Sequence, residues 1–141
     1  MENTQEKPSL TFGVDHIGLT VSSPKETVDF FTSCLGWRLL GENATYPSAS
    51  VSDGVVRLTL WQVADPSGYC GFDRRNNIGL HHLALRVSTL DDLHTLYKIV
   101  SAWPSVLVEF APEISGKGPK IHCMIREPGG CRIEFTWDPR L

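Results

Sequence analysis

Residues 13–21 read GVDHIGLTV and residues 79–87 read GLHHLALRV. This is nearly the same strand written twice, with a histidine fourth in each copy. His16 and His82 therefore hold equivalent places about half the chain apart. Each copy alternates large apolar residues with small or polar ones, the period of a β-strand with one buried face. A strand repeated at half the chain length points to two copies of one structural unit.

The residues after each copy support the repeat. VDHIGLTV leads into Ser22, Ser23 and Pro24; Ser23 with Glu26 forms a capping box, and Pro24 suits the first helical position. TVDFFTSCLG then places Val28, Phe31 and Leu35 at helical spacing, with Gly36 placed to end the helix. WRLLGEN, SASVS and VVRLTLWQV read as three strands, the last two joined at Asp53-Gly54. In the second half, Ser88 with Asp91 or Thr89 with Asp92 offers a helix cap. Leu93, Leu96, Tyr97 and Val100 make the helical stripe, and Trp103 and Pro104 break it. VLVEF, KIHCMIR and CRIEFTW complete the strands. Residues 64–79 carry turn formers without a clear period and read as a linker.

Each half is therefore βαβββ, the first over about residues 12–63 and the second over about 80–138, within a single domain spanning 1–141. A half this small cannot bury both faces of its sheet. The physical solution packs curved mixed sheets together with the helices on the outside, an α+β fold whose inner faces form a trough.

The 141-residue chain is 41% apolar and 21% charged, ordinary values for a globular protein. A net charge of −3 with scattered basic residues argues against nucleic-acid binding. No apolar run approaches the ~20 residues of a membrane span. The opening MENTQEKPSL has neither a basic nor an apolar leader region. Cys34, Cys70, Cys123 and Cys131 form no CxxC pair and read as free thiols, which suits a reducing cytoplasm.

Strand parity sorts the candidate site residues. Ile17, Leu19 and Val21 face the core, so His16, Gly18 and Thr20 face the trough. In the repeat, His82, Ala84 and Arg86 face the trough, while the adjacent His81 shares the core parity of Leu83 and Leu85. In CRIEFTW, Ile133, Phe135 and Trp137 take one side and Arg132, Glu134 and Thr136 the other. Two imidazoles and one carboxylate on a concave face form a 2-His-1-carboxylate set, which leaves positions open on a divalent ion. A lone strand histidine is more often a satisfied polar residue. Glu134 is the stronger hint, because a glutamate between Ile133 and Phe135 is costly to bury without a cation.

Other residues have a functional and a plain reading. His122, with the parity of Met124, is either a base or substrate contact near the trough or an exposed residue, and the second is commoner. His94 reads as a surface residue on the second helix. Arg74, Arg75, Asn76 and Asn77 in FDRRNN, and Lys117 and Lys120 in SGKGPK, suit a substrate carboxylate or phosphate. Solvated loop charge is the plainer explanation for both. Trp61 and Thr59 share trough parity, and Trp61 can wall a substrate. No GxSxG or GxGxxG occurs in a suitable context, so covalent catalysis and dinucleotide binding lack support.

HIGLTV, HHLALRV and EPGGCRIEF, in this order within two βαβββ modules, resemble the vicinal-oxygen-chelate superfamily. That group includes glyoxalase I, extradiol dioxygenases, fosfomycin-resistance enzymes and bleomycin-binding proteins. The resemblance covers about residues 12–138. It implies one divalent metal ion (Zn, Ni, Fe, Mn or Co) held by His16, His82 and Glu134, with Glu134 also moving a proton. A fourth ligand position of glyoxalase I falls on Thr59, a poor ligand.

The implied function is a glyoxalase-type lyase or isomerase acting on a small vicinal-oxygen substrate, such as a glutathione hemithioacetal. The alternatives are Fe(II) extradiol dioxygenation and a metal-free drug-binding resistance protein. Met124 stands where the dioxygenases would carry a tyrosine. The resemblance also implies a cytoplasmic homodimer. His16 of one copy would then join His82 and Glu134 of the other, or all three would meet within one chain.

Overall fold

The computed structural model describes residues 7–141. The expectation about a leader concerns a segment that begins outside them.

The first sheet contains β1 (Ile17–Val21), β2 (Arg38–Asn43), β3 (Ser48–Ser52) and β4 (Arg57–Gln62), in the order β1-β4-β3-β2. The second contains β5 (Leu83–Arg86), β6 (Leu107–Ile114), β7 (Ile121–Arg126) and β8 (Arg132–Trp137), in the order β5-β8-β7-β6. In each, the first strand lies parallel to the fourth and the other pairs are antiparallel. This is the α+β pair of βαβββ units that the sequence predicts. The sheets remain open and do not close into a barrel.

The helices form where the caps place them. Helix α1 (Pro24–Asp29) starts behind Ser23, whose hydroxyl accepts from the Glu26 amide. It continues as a π-helical turn over Phe30–Cys34. The predicted stripe carries Val28, Phe31 and Leu35, but Phe30 is also fully buried. Consecutive inward-facing phenylalanines do not fit one narrow helical stripe, and the widened turn accommodates both, edge to face at 5.3 Å. Gly36 ends this segment at φ +76°, a conformation that glycine adopts freely. Helix α2 (Leu90–Ser101) is capped by Thr89, which accepts from the Asp92 amide, and buries Leu93 and Val100.

The core lies between each helix and its sheet. Leu19, Val21, Phe31, Val51, Leu58 and Leu60 fill the first half; Leu93, Ile125, Ile133 and Phe135 fill the second. Burying each large side chain contributes roughly 1.5–3 kcal/mol.

The two halves meet where β1 runs into α1 and β7 turns into β8. The Ser22 amide donates to the Gly129 carbonyl at 3.2 Å. The Glu127 carboxylate, 2% exposed, accepts from the Thr27 hydroxyl and from the amides of Gly129 and Cys131. Burial raises the Glu127 pKa, and these donors partly oppose the rise. EPGG is thus both a hairpin turn and the joint between modules.

Candidate functional site

The parallel pairs fix what faces what. In the first sheet Gly18 lies opposite Thr59; in the second, Ala84 lies opposite Glu134. These are equivalent positions of the two modules. Glu134 sits mid-strand on β8 with its side chain 13% exposed. His82 lies just ahead of β5, one residue before the ladder begins at Leu83. Its Nε2 is 3.0 Å from Glu134 Oε2. His122 on β7 reaches the other oxygen, Nδ1 to Oε1, at 2.5 Å. Its side chain is 18% exposed and its ring packs against Phe110 at 4.8 Å. The plainer expectation, an exposed His122, does not hold.

Arg132 Nη1 donates to the His81 carbonyl at 2.9 Å and lies 3.1 Å from His81 Nδ1. His82 Nδ1 lies 2.8 Å from the same ring nitrogen, so a backing histidine orients the His82 ring. Across the 3.0 Å between His82 Nε2 and Glu134 Oε2, a proton makes the contact a hydrogen bond, and a cation in its place would be held by both groups. Burial lowers the His81 pKa, helped by the Arg132 charge.

His16 lies just ahead of β1, as His82 does ahead of β5. Its Nδ1 is 2.6 Å from Asp15 Oδ1, and its side chain is 46% exposed. Among the described residues no three His, Cys, Asp or Glu side chains are set to grip one ion together. Within one chain, then, His16 does not join His82 and Glu134. Thr59 is buried and accepts from Trp61 Nε1 at 3.0 Å. Trp61 stacks on Tyr46 at 5.2 Å. Added bulk at Gly18 would come within 3.3 Å of Thr59 Oγ1, so the bare backbone there keeps this Thr59–Trp61 wall intact.

The loop candidates separate. Arg74 stands 4.0 Å from Glu109 on β6. Arg75 is exposed, and its amide donates to Asp73 Oδ1. Asn77 Oδ1 accepts from the Asp73 amide at 2.6 Å and so closes the linker turn. Lys117 is exposed on the 115–120 loop, with no acidic group within 4 Å among the described residues.

One group escaped the sequence reading. Glu109 binds Arg132 through both its oxygens, at 2.7–3.1 Å, and accepts from Arg126 Nε at 3.1 Å. The β6–β7 register shifts on both sides of Phe110, so alternation does not carry Glu109 to its true face. Parity could have placed Arg132 beside Glu134, but not its partner.

A family model for the glyoxalase/bleomycin resistance protein/dioxygenase superfamily matches residues 13–135. The chain belongs to that superfamily. Among solved structures, the fold resembles the glyoxylase/bleomycin resistance protein/dioxygenase domain from Frankia sp. EAN1pec, with TM-score 0.72 and 23% identity over 91% of this chain and 93% of that one. It also resembles the glyoxalase family protein from Enterococcus faecalis, with TM-score 0.68 and 16% identity over 88% and 96%. The glyoxalase/bleomycin resistance protein/dioxygenase from Alicyclobacillus acidocaldarius gives TM-score 0.67 and 15% identity over 90% and 92%. At these identities the likeness is one of fold. No curated protein matches the sequence significantly. The superfamily contains enzymes and non-enzymatic binders. No described helix is long and apolar enough to cross a membrane.

Proposed function

We propose that this chain is a divalent-metal-dependent lyase or isomerase of glyoxalase type, acting on a small substrate with neighbouring oxygens. The observation that carries this reading is the Glu134 carboxylate, only 13% exposed, with its Oε2 3.0 Å from His82 Nε2. His82 and Glu134 would hold the ion, with His16 as the third donor. The separation of His16 from that pair supports a homodimer in which a second copy supplies His16. Leu10, Phe12 and Val14, exposed on the approach to His16, give such a contact apolar area.

When bound, a divalent ion supplies Lewis acidity to the two substrate oxygens. The chain's own residues do the rest. Glu134 would take a proton from a carbon next to a carbonyl and return it to the neighbouring position. His122 Nδ1, hydrogen-bonded to Glu134 Oε1, steadies the carboxylate and can share its proton. His81 Nδ1, 2.8 Å from His82 Nδ1, orients the His82 ring. The Thr59–Trp61–Tyr46 wall offers an apolar face to the substrate body.

The test is elemental analysis after metal-replete purification, then turnover of methylglyoxal–glutathione hemithioacetal and of catechols. A stoichiometric ion that is lost in His82→Ala, Glu134→Ala and His16→Ala, with hemithioacetal turnover, supports the reading. Ring opening of catechols would move the reaction to the dioxygenase class at the same residues. A folded protein that takes up no ion would leave the drug-binding alternative. Mixing His16→Ala with Glu134→Ala should regain activity if two copies share each site.

A further inference from the structure

We propose that the groove between the modules binds an amphipathic small molecule by its anionic end, with Arg126 as the anion receptor. The groove has a volume of about 700 Å³ and is walled by β1, the 126–132 turn, the linker and the start of β6. That size suits a drug-sized molecule. Its walls carry Tyr69, Ile78, Leu80 and Leu107, all exposed apolar side chains. Its polar end carries Arg126 and Arg132.

The charges at that end do not balance. Arg74, Arg126 and Arg132 share the single Glu109 carboxylate, which leaves two positive charges over. Arg132 is saturated: Glu109 takes Nε and Nη2, and the His81 carbonyl and ring take Nη1. Arg126 spends only Nε on Glu109, and among the described residues its two terminal nitrogens have no partner. Arg74 sits at 4.0 Å, too far to hydrogen-bond. The other carboxylate in the groove wall, Glu127, is turned into the amides of its own turn. Glu109 thus orients two arginines without neutralising three. A carboxylate or phosphate bound there would complete Arg126 through charge-assisted hydrogen bonds.

Arg132 precedes Glu134 by two residues on one face, roughly 7 Å along the strand. If the proposed catalytic role of Glu134 holds, the bound anion is part of the substrate, and this step alone rests on that reading. The substrate class is then a small carboxylate or phosphate ester with its apolar body in the groove.

Calorimetry with octanoate, octyl phosphate, 1-octanol and octylammonium on the full chain tests the proposal. Octanoate or octyl phosphate should bind about tenfold or more tighter than octanol, as expected for one charge-assisted contact. The better of the two identifies the head group. Octylammonium should bind weakest, and added salt should erase the preference. Arg126→Met should abolish the preference while leaving octanol binding unchanged; Arg74→Gln, on a loop, should reduce it and covers the case in which the first variant misfolds. Glu134→Gln should bind octanoate as the parent does, so loss of the metal reading would not imitate loss of this one. Equal binding of octanoate and octanol, no binding at all, or an unchanged preference in a folded Arg126→Met protein would overturn it.

Discussion

The two modules share a scaffold but differ in what their central parallel pair carries. In the first, Gly18 faces Thr59, and the surrounding side chains are a tryptophan and a tyrosine. In the second, Ala84 faces Glu134, two histidines contact that carboxylate, and three arginines gather on a second glutamate, Glu109. Both sheets have the same strand order and the same helix packing, so these site residues are not what the scaffold requires. One module retained an apolar wall with a single histidine, and the other gathered charge. A duplicated unit can separate its work in this way, because each half stabilises its own core.

That contrast can be broken most sharply at Glu134. Glu134→Ala should take the ion content from stoichiometric to nil and lower any turnover by ~10²–10⁴-fold, the usual worth of a placed acid–base group. Thr59→Ala, at the equivalent position, should leave the ion content unchanged. If both variants lose the ion, the modules are more alike in chemistry than their side chains indicate.

The joint between modules is next. A methyl group at Gly129 would fall 2.9 Å from Val21 Cβ and 2.7 Å from Glu127 Oε1, and against the Thr27 hydroxyl. Gly129→Ala should cost about 1–3 kcal/mol in urea unfolding, because this overpacks a closed contact. A smaller loss would mean that the modules rest on each other only loosely.

Two buried or partly buried glutamates of the second module should show opposite pH dependences. Glu127 binds its proton more tightly folded than unfolded, so its contribution is greatest below its ordinary pKa of 4.5 and fades as pH rises through the higher native value. Glu109 is held below 4.5, first by its hydrogen bonds from Arg132, so its contribution is present above 4.5 and fades as pH falls. Urea midpoints from pH ~3 to ~8 should therefore respond oppositely in Glu127→Gln and Glu109→Gln. Variants with parallel profiles would contradict these assignments.

The smallest effect concerns the helices. Ser23→Ala and Thr89→Ala each remove one cap and should each cost ~1 kcal/mol, read from thermal unfolding. Equal losses would show that the duplicated scaffold is energetically alike where its chemistry is not.

Much of this was legible in the primary structure, and the gaps have physical causes. Alternation marked β1 and β3, because a half-buried strand must place its apolar residues on one side; β2, also read as a strand, exposes every residue. Ser23 and Pro24 predicted the first helix start, because unpaired amides need acceptors; of the two caps read for the second helix, Ser88 and Thr89, the structure uses Thr89. Parity put His82, Arg132 and Glu134 on one face. It could not show that His122 reaches Glu134 diagonally, since that depends on the β7–β8 register. Glu109 was hidden by irregular pairing in β6. The role of Asn77 in closing a turn also depended on loop geometry that has no period to read.

By itself, then, the sequence determined the duplicated βαβββ architecture and, where pairing is regular, which side of a strand a residue takes. Both arise from local periodicity and short-range capping. Tertiary structure alone decided which charged groups meet: Glu134 between two histidines, Glu109 among three arginines, and His16 apart from both. Those meetings join residues 12 to 52 positions apart or separate two sheets. Local pattern does not encode them, because strand register and module packing set the distances at which charges act.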